Sequence, residues 1–225
     1  MDQISFPHCG FSPGFTGNFS GGSIPNQTFA RAYTDGTFVT GWFGYEDVYI
    51  GSMKVSHQQL ALVNQAAWFG DGFTAGLLGL AYPMMTGLDD NVPSYDPIFT
   101  SMWKNNLTTP LFSLALSRRV PSAARHHNSS IIEAGHESYL AFGGVPPVSY
   151  DDASWGRTPI KDMQILGNWP EDHYGHGLYV IVADSYQYGR GKSSNGTTYA
   201  VTKNTTQFPI SVDCGSTLTV LPRGM

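Results

Sequence analysis

The sequence predicts an all-β protein, on three observations. Only 13% of the residues are charged, about half the usual share, so long solvated helices have little to be built from. Glycine (26), proline (14), tyrosine (12) and phenylalanine (13) are plentiful, the mixture of short strands joined by turns. Apolar stretches alternate with period two and are cut by Asp-Gly, Gly-Ser and Gly-Gly turn signals. With 41% hydrophobic residues over 225 positions, the chain can bury a core and form one large or two small domains.

The elements follow in order. Residues 8–28, rich in Gly, Ser, Pro and Asn, read as loop. A strand begins over Thr28–Tyr33, turns tightly at Thr34-Asp-Gly-Thr37, and returns as Phe38–Phe43, because Asp-Gly between apolar runs is a hairpin signal. Tyr45–Ile50 continues as strand, with Val48 and Ile50 on one face and Asp47 and Tyr49 on the other. Gly51-Ser-Met is a second turn, and Val55–Val63 a third strand. The apolar run Ala75–Tyr82 is punctuated by glycine, which inside a strand signals close backbone approach. Ser94–Asn106 is the best helix: Ser94 can cap it, Pro97 suits its first turn, and Ile98, Phe99, Met102 and Trp103 form a core-facing stripe. Further strands are expected at Pro110–Leu116, Tyr139–Phe142, Leu178–Ala183, Phe208–Val212 and Leu218–Leu221, with 119–137 as an exposed loop.

Net charge −5 and a pI near 5.7 argue against a nucleic-acid partner, which needs a basic patch. No apolar run reaches membrane length, so no membrane partner is expected. Six Asn-x-Ser/Thr sequons, at Asn18, Asn26, Asn106, Asn128, Asn195 and Asn204, fit either an extracellular surface or polar loop composition. The start, Met1 to Phe6, has no basic stretch and no apolar h-region, so no signal peptide is expected in this chain. A secreted composition without a leader leads us to expect a truncated chain. Cys9 and Cys214 could pair; Cys214, beside the candidate acidic loop, reads as a free thiol.

That acidic loop carries the chemistry. Asp213 ends an apolar run and precedes Gly215, and the flanking apolar segments are expected to bury its base. Ser216 and the amides near Gly215 can hydrogen-bond a carboxylate and keep it ionised. Such an acid on a rigid turn can serve as general acid or base; equally, turns are enriched in Asp for conformational reasons alone. His173-Tyr-Gly-His176 offers two metal ligands without a third, and His126, His127, His136 and Glu133 read as loop, so no metal or other cofactor is expected. Gly191-Lys192-Ser193 lacks the first glycine of a P-loop, since Tyr186 stands there, and no Gly-x-Ser-x-Gly elbow is present.

The segment Phe208-Pro-Ile-Ser-Val-Asp213-Cys-Gly-Ser-Thr-Leu-Thr-Val-Leu221 resembles the second catalytic loop of the pepsin-like aspartic endopeptidases. Other stretches resemble the same family in the same order. Phe29-Ala-Arg-Ala-Tyr33-Thr-Asp-Gly36-Thr is similar to its flap, and Gly41–Gly51 to the strand after the flap. Gly76-Leu-Leu-Gly-Leu-Ala-Tyr-Pro83, Leu111–Ser117 and Tyr139-Leu-Ala-Phe-Gly-Gly144 resemble later family segments, so the likeness runs from about residue 28 onward.

The resemblance implies a bilobal pepsin-like fold of the fungal secreted type, both lobes incomplete. Residues 1–118 would form most of the first lobe with the linking strand, and 119–225 the front of the second. It implies that Asp213 is one of two aspartates that share a proton and activate a water, the pair splitting its pKa values because both cannot readily ionise. Tyr33, Asp35 and Gly36 would meet the substrate from the flap; Gly215 and Thr217 would meet its backbone; Ser216 would hydrogen-bond Asp213. The implied partner is a polypeptide substrate bound as an extended strand, and the implied state a secreted monomer.

Two features depart from the family pattern. Asp213-Cys-Gly is the only Asp-x-Gly in the chain, so the partner aspartate is expected to lie before Met1 and the chain alone to be inactive. Cys214 stands where the family has a Thr or Ser whose hydroxyl braces one loop against the other, and a thiol is a weaker donor. A non-catalytic binding or inhibitor protein of the same fold is therefore the second reading. A carbohydrate-binding module would lack the cleft acid, and a homodimer supplying two copies of Asp213 would have to duplicate an incomplete lobe.

Overall fold

In the computed structural model the described residues are 14–15, 17–33, 36–68, 74–87, 92–116, 138–151, 153, 155–167, 175–188 and 202–215. They are strand-dominated, as expected. The chain divides into two compact units, one of Met1–Leu78 with Ile98–Trp155, the other of Gly79–Pro97 with Gly156–Met225. The expected lobe boundary at residue 118, the loop 119–137 and the strand Leu218–Leu221 lie outside the described residues.

The first unit is built on an antiparallel meander of β1 (Ser23–Ala32), β2 (Phe38–Ile50) and β3 (Met53–Ala67), in that spatial order. β1 starts inside the stretch expected as loop, and β2 runs unbroken through the two strands expected separately. The β2–β3 turn needs only Gly51 and Ser52, with Ile50 opposite Met53. Gly51 has φ +59, the conformation a two-residue type II′ turn demands at its first position and glycine supplies without strain. Further along, Ser56 and His57 of β3 face the single residue Asp47 of β2, forming a bulge with His57 at φ +54. The Asp47 carboxylate accepts the His57 amide at 3.0 Å and secures it.

Helix α1 (Ile98–Lys104) closes one face of this meander. Ile98, Met102 and Val55 form a buried cluster ringed by Val48, Ile50, Met53 and Phe142. Burying each such side chain contributes about 1.5–3 kcal/mol. The helix begins four residues later than expected, and Ser94 does not cap it. Ser94 belongs to the second unit, where its hydroxyl donates to the Pro83 carbonyl of the same unit at 2.8 Å. Trp103, expected in the core stripe, is 39% exposed, whereas Ile98 and Met102 are buried, so the buried face of α1 is narrower than the expected stripe.

The last elements of this unit are β4 (Phe112–Ala115) and β5 (Tyr139–Phe142), paired antiparallel with Phe112 opposite Phe142. Phe99 of α1 packs on both rings, edge-on to Phe112 at 5.0 Å and stacked on Phe142 at 5.7 Å. The stretch 74–82 forms no strand. Side chains placed on Gly76 or Gly79 would meet open space among the described residues, so no described backbone makes the close approach expected there.

The second unit pairs β6 (Val180–Ala183) with β9 (Phe208–Ser211), and β7 (Tyr186–Tyr188) with β8 (Thr202–Asn204). Its buried centre holds Met163 and Val180. Met163 opens a 3-10 turn, Met163–Leu166, capped by Asp162, whose carboxylate accepts from the Gln164 and Gly175 amides. A second 3-10 turn, Pro83–Thr86, packs Met84 and Met85 against Gly177. Among the described residues no helix is long and apolar enough to cross a membrane.

Candidate functional site

Asp213 sits two residues beyond the end of β9. Pairing of β9 with β6 continues past Ser211, because the Val212 amide donates to the Tyr179 carbonyl at 2.9 Å. Tyr179 is itself anchored. Its hydroxyl donates to the Leu80 carbonyl at 2.8 Å, and its ring packs on Tyr82 at 5.1 Å. Burial, reinforced by the neighbouring Tyr82, pushes the Tyr179 phenol up to about 12. A neutral, hydrogen-bonded tyrosine thus holds the strand from which Asp213 emerges.

Asp213 then turns the chain. Its Oδ1 accepts from the Gly215 amide at 2.7 Å, closing an Asx turn. This is one of the backbone donors expected for the carboxylate. Asp213, Cys214 and Gly215 are exposed, and Val212 is 57% exposed. The apolar flank before Asp213 therefore does not bury the loop base. Cys214 is a free, exposed thiol. Ser216 and Thr217, expected to contact carboxylate and substrate, lie outside the described residues, as do Cys9, Asp35, His173 and Lys192.

Tyr33 and Gly36 belong to the first unit, at the tip of the β1–β2 hairpin. The Tyr33 amide donates to the Thr37 carbonyl at 2.8 Å, and the Gly36 amide donates to the Tyr33 carbonyl at 3.0 Å. Gly36 takes φ +87, so the turn depends on a residue without Cβ. The Tyr33 ring meets Trp68 edge-on at 5.1 Å. Partial burial raises its phenol above the ordinary value, a shift the Arg31 charge opposes. Trp68 was not anticipated. The register that sets Ala67 opposite Phe38 carries the next residue toward the hairpin tip; two bulges in β3 shift that register by two residues from a plain count outward from the Gly51 turn, and the sequence does not signal them.

A separate polar depression of about 210 Å³ is lined by Ser20, Gly21, Glu46, Asp47 and His57. Its carboxylates are already engaged. Glu46 accepts from the Ser20 amide at 2.8 Å and from the Ser20 hydroxyl, and Asp47 pairs with Lys54 at 2.7 Å. The His57 ring stacks on Tyr45 at 4.1 Å. Among the described residues no group of three or more His, Cys, Asp or Glu is arranged to hold a metal ion.

The family profile described as "Eukaryotic aspartyl protease" matches residues 8–225. The chain is 28% identical over 211 residues to a "Probable aspartic-type endopeptidase" of Aspergillus fumigatus, covering 91% of this chain and 44% of that protein. It is 29% identical over 190 residues to gastricsin of Homo sapiens, covering 81% and 44%. To rhizopuspepsin-3 of Rhizopus niveus it is 23% identical over 209 residues, covering 87% and 52%. The chain spans about half the length of these relatives.

Proposed function

The chain belongs to the eukaryotic aspartyl protease family, and from that premise we propose that Asp213 is one carboxylate of a two-aspartate endopeptidase site. The observation that carries this reading is local. Asp213 projects from the end of a paired strand, solvent-accessible, with Oδ1 fixed by the Gly215 amide. A carboxylate so held can take a proton from water attacking a peptide carbonyl while a partner carboxylic acid protonates the carbonyl oxygen. The substrate is an extended polypeptide. Tyr33, Asp35 and Gly36 cover it from the hairpin, Gly215 and Thr217 meet its backbone, and Ser216 hydrogen-bonds Asp213.

The 225 residues contain a single Asp-x-Gly, and the mechanism needs two aspartates. We therefore propose that this chain is a fragment inactive by itself, with residues 1–118 drawn from the first lobe and 119–225 from the second. Low charge and six sequons support a secreted, N-glycosylated protein, which we propose acts as a monomer. The test is hydrolysis of a denatured protein at acid pH by the 225-residue chain, with Asp213→Asn as control. No cleavage beyond the control is expected; cleavage that the control abolishes refutes the single-aspartate reading.

One observation favours a second reading. Cys214 occupies the position of the bracing hydroxyl, which supports a binding or inhibitor protein that does not cut. Cys214→Thr separates the two. In a form supplied with the partner aspartate, activity with either residue supports the enzyme, and inactivity with both supports the binding protein.

A further inference from the structure

We propose that Asn106 carries an N-linked oligosaccharide that lies over Trp103 and Leu107. The inference rests on the secretory reading above and goes beyond it by selecting one position and a structural role. Asn106-Leu107-Thr108 is a complete sequon. Asn106 is exposed, follows the end of α1 and adopts φ +57, a left-handed residue closing the helix. Its amide donates to the Trp103 carbonyl at 3.0 Å, and the Leu107 amide donates to the Met102 carbonyl at 2.9 Å, so the backbone of the turn is fixed. No side-chain hydrogen bond to a described residue holds Asn106. Asn204 differs: it is half-buried, and its Oδ1 accepts the Thr206 amide at 2.8 Å.

The neighbours of Asn106 supply the second observation. Trp103 belongs to the apolar stripe of α1 yet is 39% exposed, and Leu107 is 37% exposed. Two large apolar side chains thus flank a solvent-facing amide on a rigid turn. The C–H-rich face of a sugar ring held at Asn106 covers such surface and removes apolar area from water. Glycosylation there needs a lipid-diphosphate-linked oligosaccharide as donor. The Asn106 Nδ2 attacks C1 of the first sugar, a C–N bond forms and the C1–O bond to diphosphate breaks. The nitrogen loses one proton, and the lipid diphosphate departs with the electron pair.

The test expresses the 225-residue chain behind a heterologous secretion leader in yeast. The leader delivers it to the glycosylation machinery whatever its natural location, so failure here concerns Asn106 and not the secretory reading. Enzymatic release of glycans in ¹⁸O water, followed by peptide mass mapping, reads the site directly and needs no variant. The expected result is ¹⁸O-labelled aspartate at residue 106 in most molecules, with one glycan lost in both Asn106→Gln and Thr108→Ala. Recovery of unlabelled Asn106 in most molecules overturns the proposal. Acrylamide quenching of Trp103 emission, isolated as the difference from Trp103→Phe, is expected to rise on deglycosylation; unchanged quenching overturns the placement over Trp103.

Discussion

The Asp213 carboxylate accepts a hydrogen bond from the Gly215 amide, two residues along its own loop, at 2.7 Å. An asparagine oxygen can accept the same bond, and the position is exposed. Asp213→Asn is therefore expected to unfold in urea within about 0.5 kcal/mol of the parent chain. Asp213→Ala, which loses the acceptor, should cost about 1 kcal/mol. Loss of folding in Asp213→Asn would contradict the local description and disqualify that variant as a catalytic control.

Tyr33 and Trp68 meet edge-on at 5.1 Å beside the hairpin tip. Such aromatic pairs are worth about 0.5–1.5 kcal/mol beyond the area they bury. A double-mutant cycle of Tyr33→Ala and Trp68→Ala should return a coupling energy in that range. Tyr33→Phe keeps the ring and should keep the coupling. Additive single mutants would show that the contact does not order the tip.

Helix α1 offers a contrast between adjacent residues. Met102 is fully buried, whereas Trp103 is 39% exposed. Met102→Ala should cost about 2–5 kcal/mol by leaving a cavity, and Trp103→Ala less, about 1–2 kcal/mol in the unglycosylated chain, because only part of its ring is covered. Chemical denaturation of both variants checks the order, and a reversed order would place the core on the other face of the helix.

The same helix shows what the sequence could and could not convey. Ile98 and Met102 at i, i+4 identify the buried face, but the apolar pattern alone does not show that this face stops short of Trp103. Strands with strong turn signals were legible: the Gly51 hairpin and Tyr139–Phe142 lie where expected. β7 and β8 were missed, since three-residue strands carry too little periodicity to read. At the candidate site, Asp213 and its bond to the Gly215 amide follow from residue types at fixed spacing. The Tyr179 anchor beneath it joins residues 99 positions apart and has no local signal.

Glu46 makes a pH prediction. The Ser20 hydroxyl and then the Ser20 amide donate to it, holding its carboxyl below the ordinary 4.5. The folded value lies below the unfolded one, so this latch contributes in full above about pH 4.5 and is lost as pH falls through the folded value. Ser20→Ala removes the hydroxyl and leaves the amide. The Glu46 titration followed by NMR should then move partway back toward 4.5. An unmoved titration would show that the hydroxyl does not stabilise the carboxylate.

The central claim is that Asp213 is half of a catalytic pair whose other half lies outside these 225 residues. The most direct measurement compares peptide hydrolysis at acid pH by three proteins: the 225-residue chain, the same chain extended at both ends with the flanking segments of an aspartic endopeptidase relative that supply the partner aspartate and the rest of the second lobe, and that extended form with Asp213→Asn. The account predicts no activity in the first, activity in the second, and a loss of at least about 100-fold in the third. Activity in the extended form that survives Asp213→Asn would contradict it.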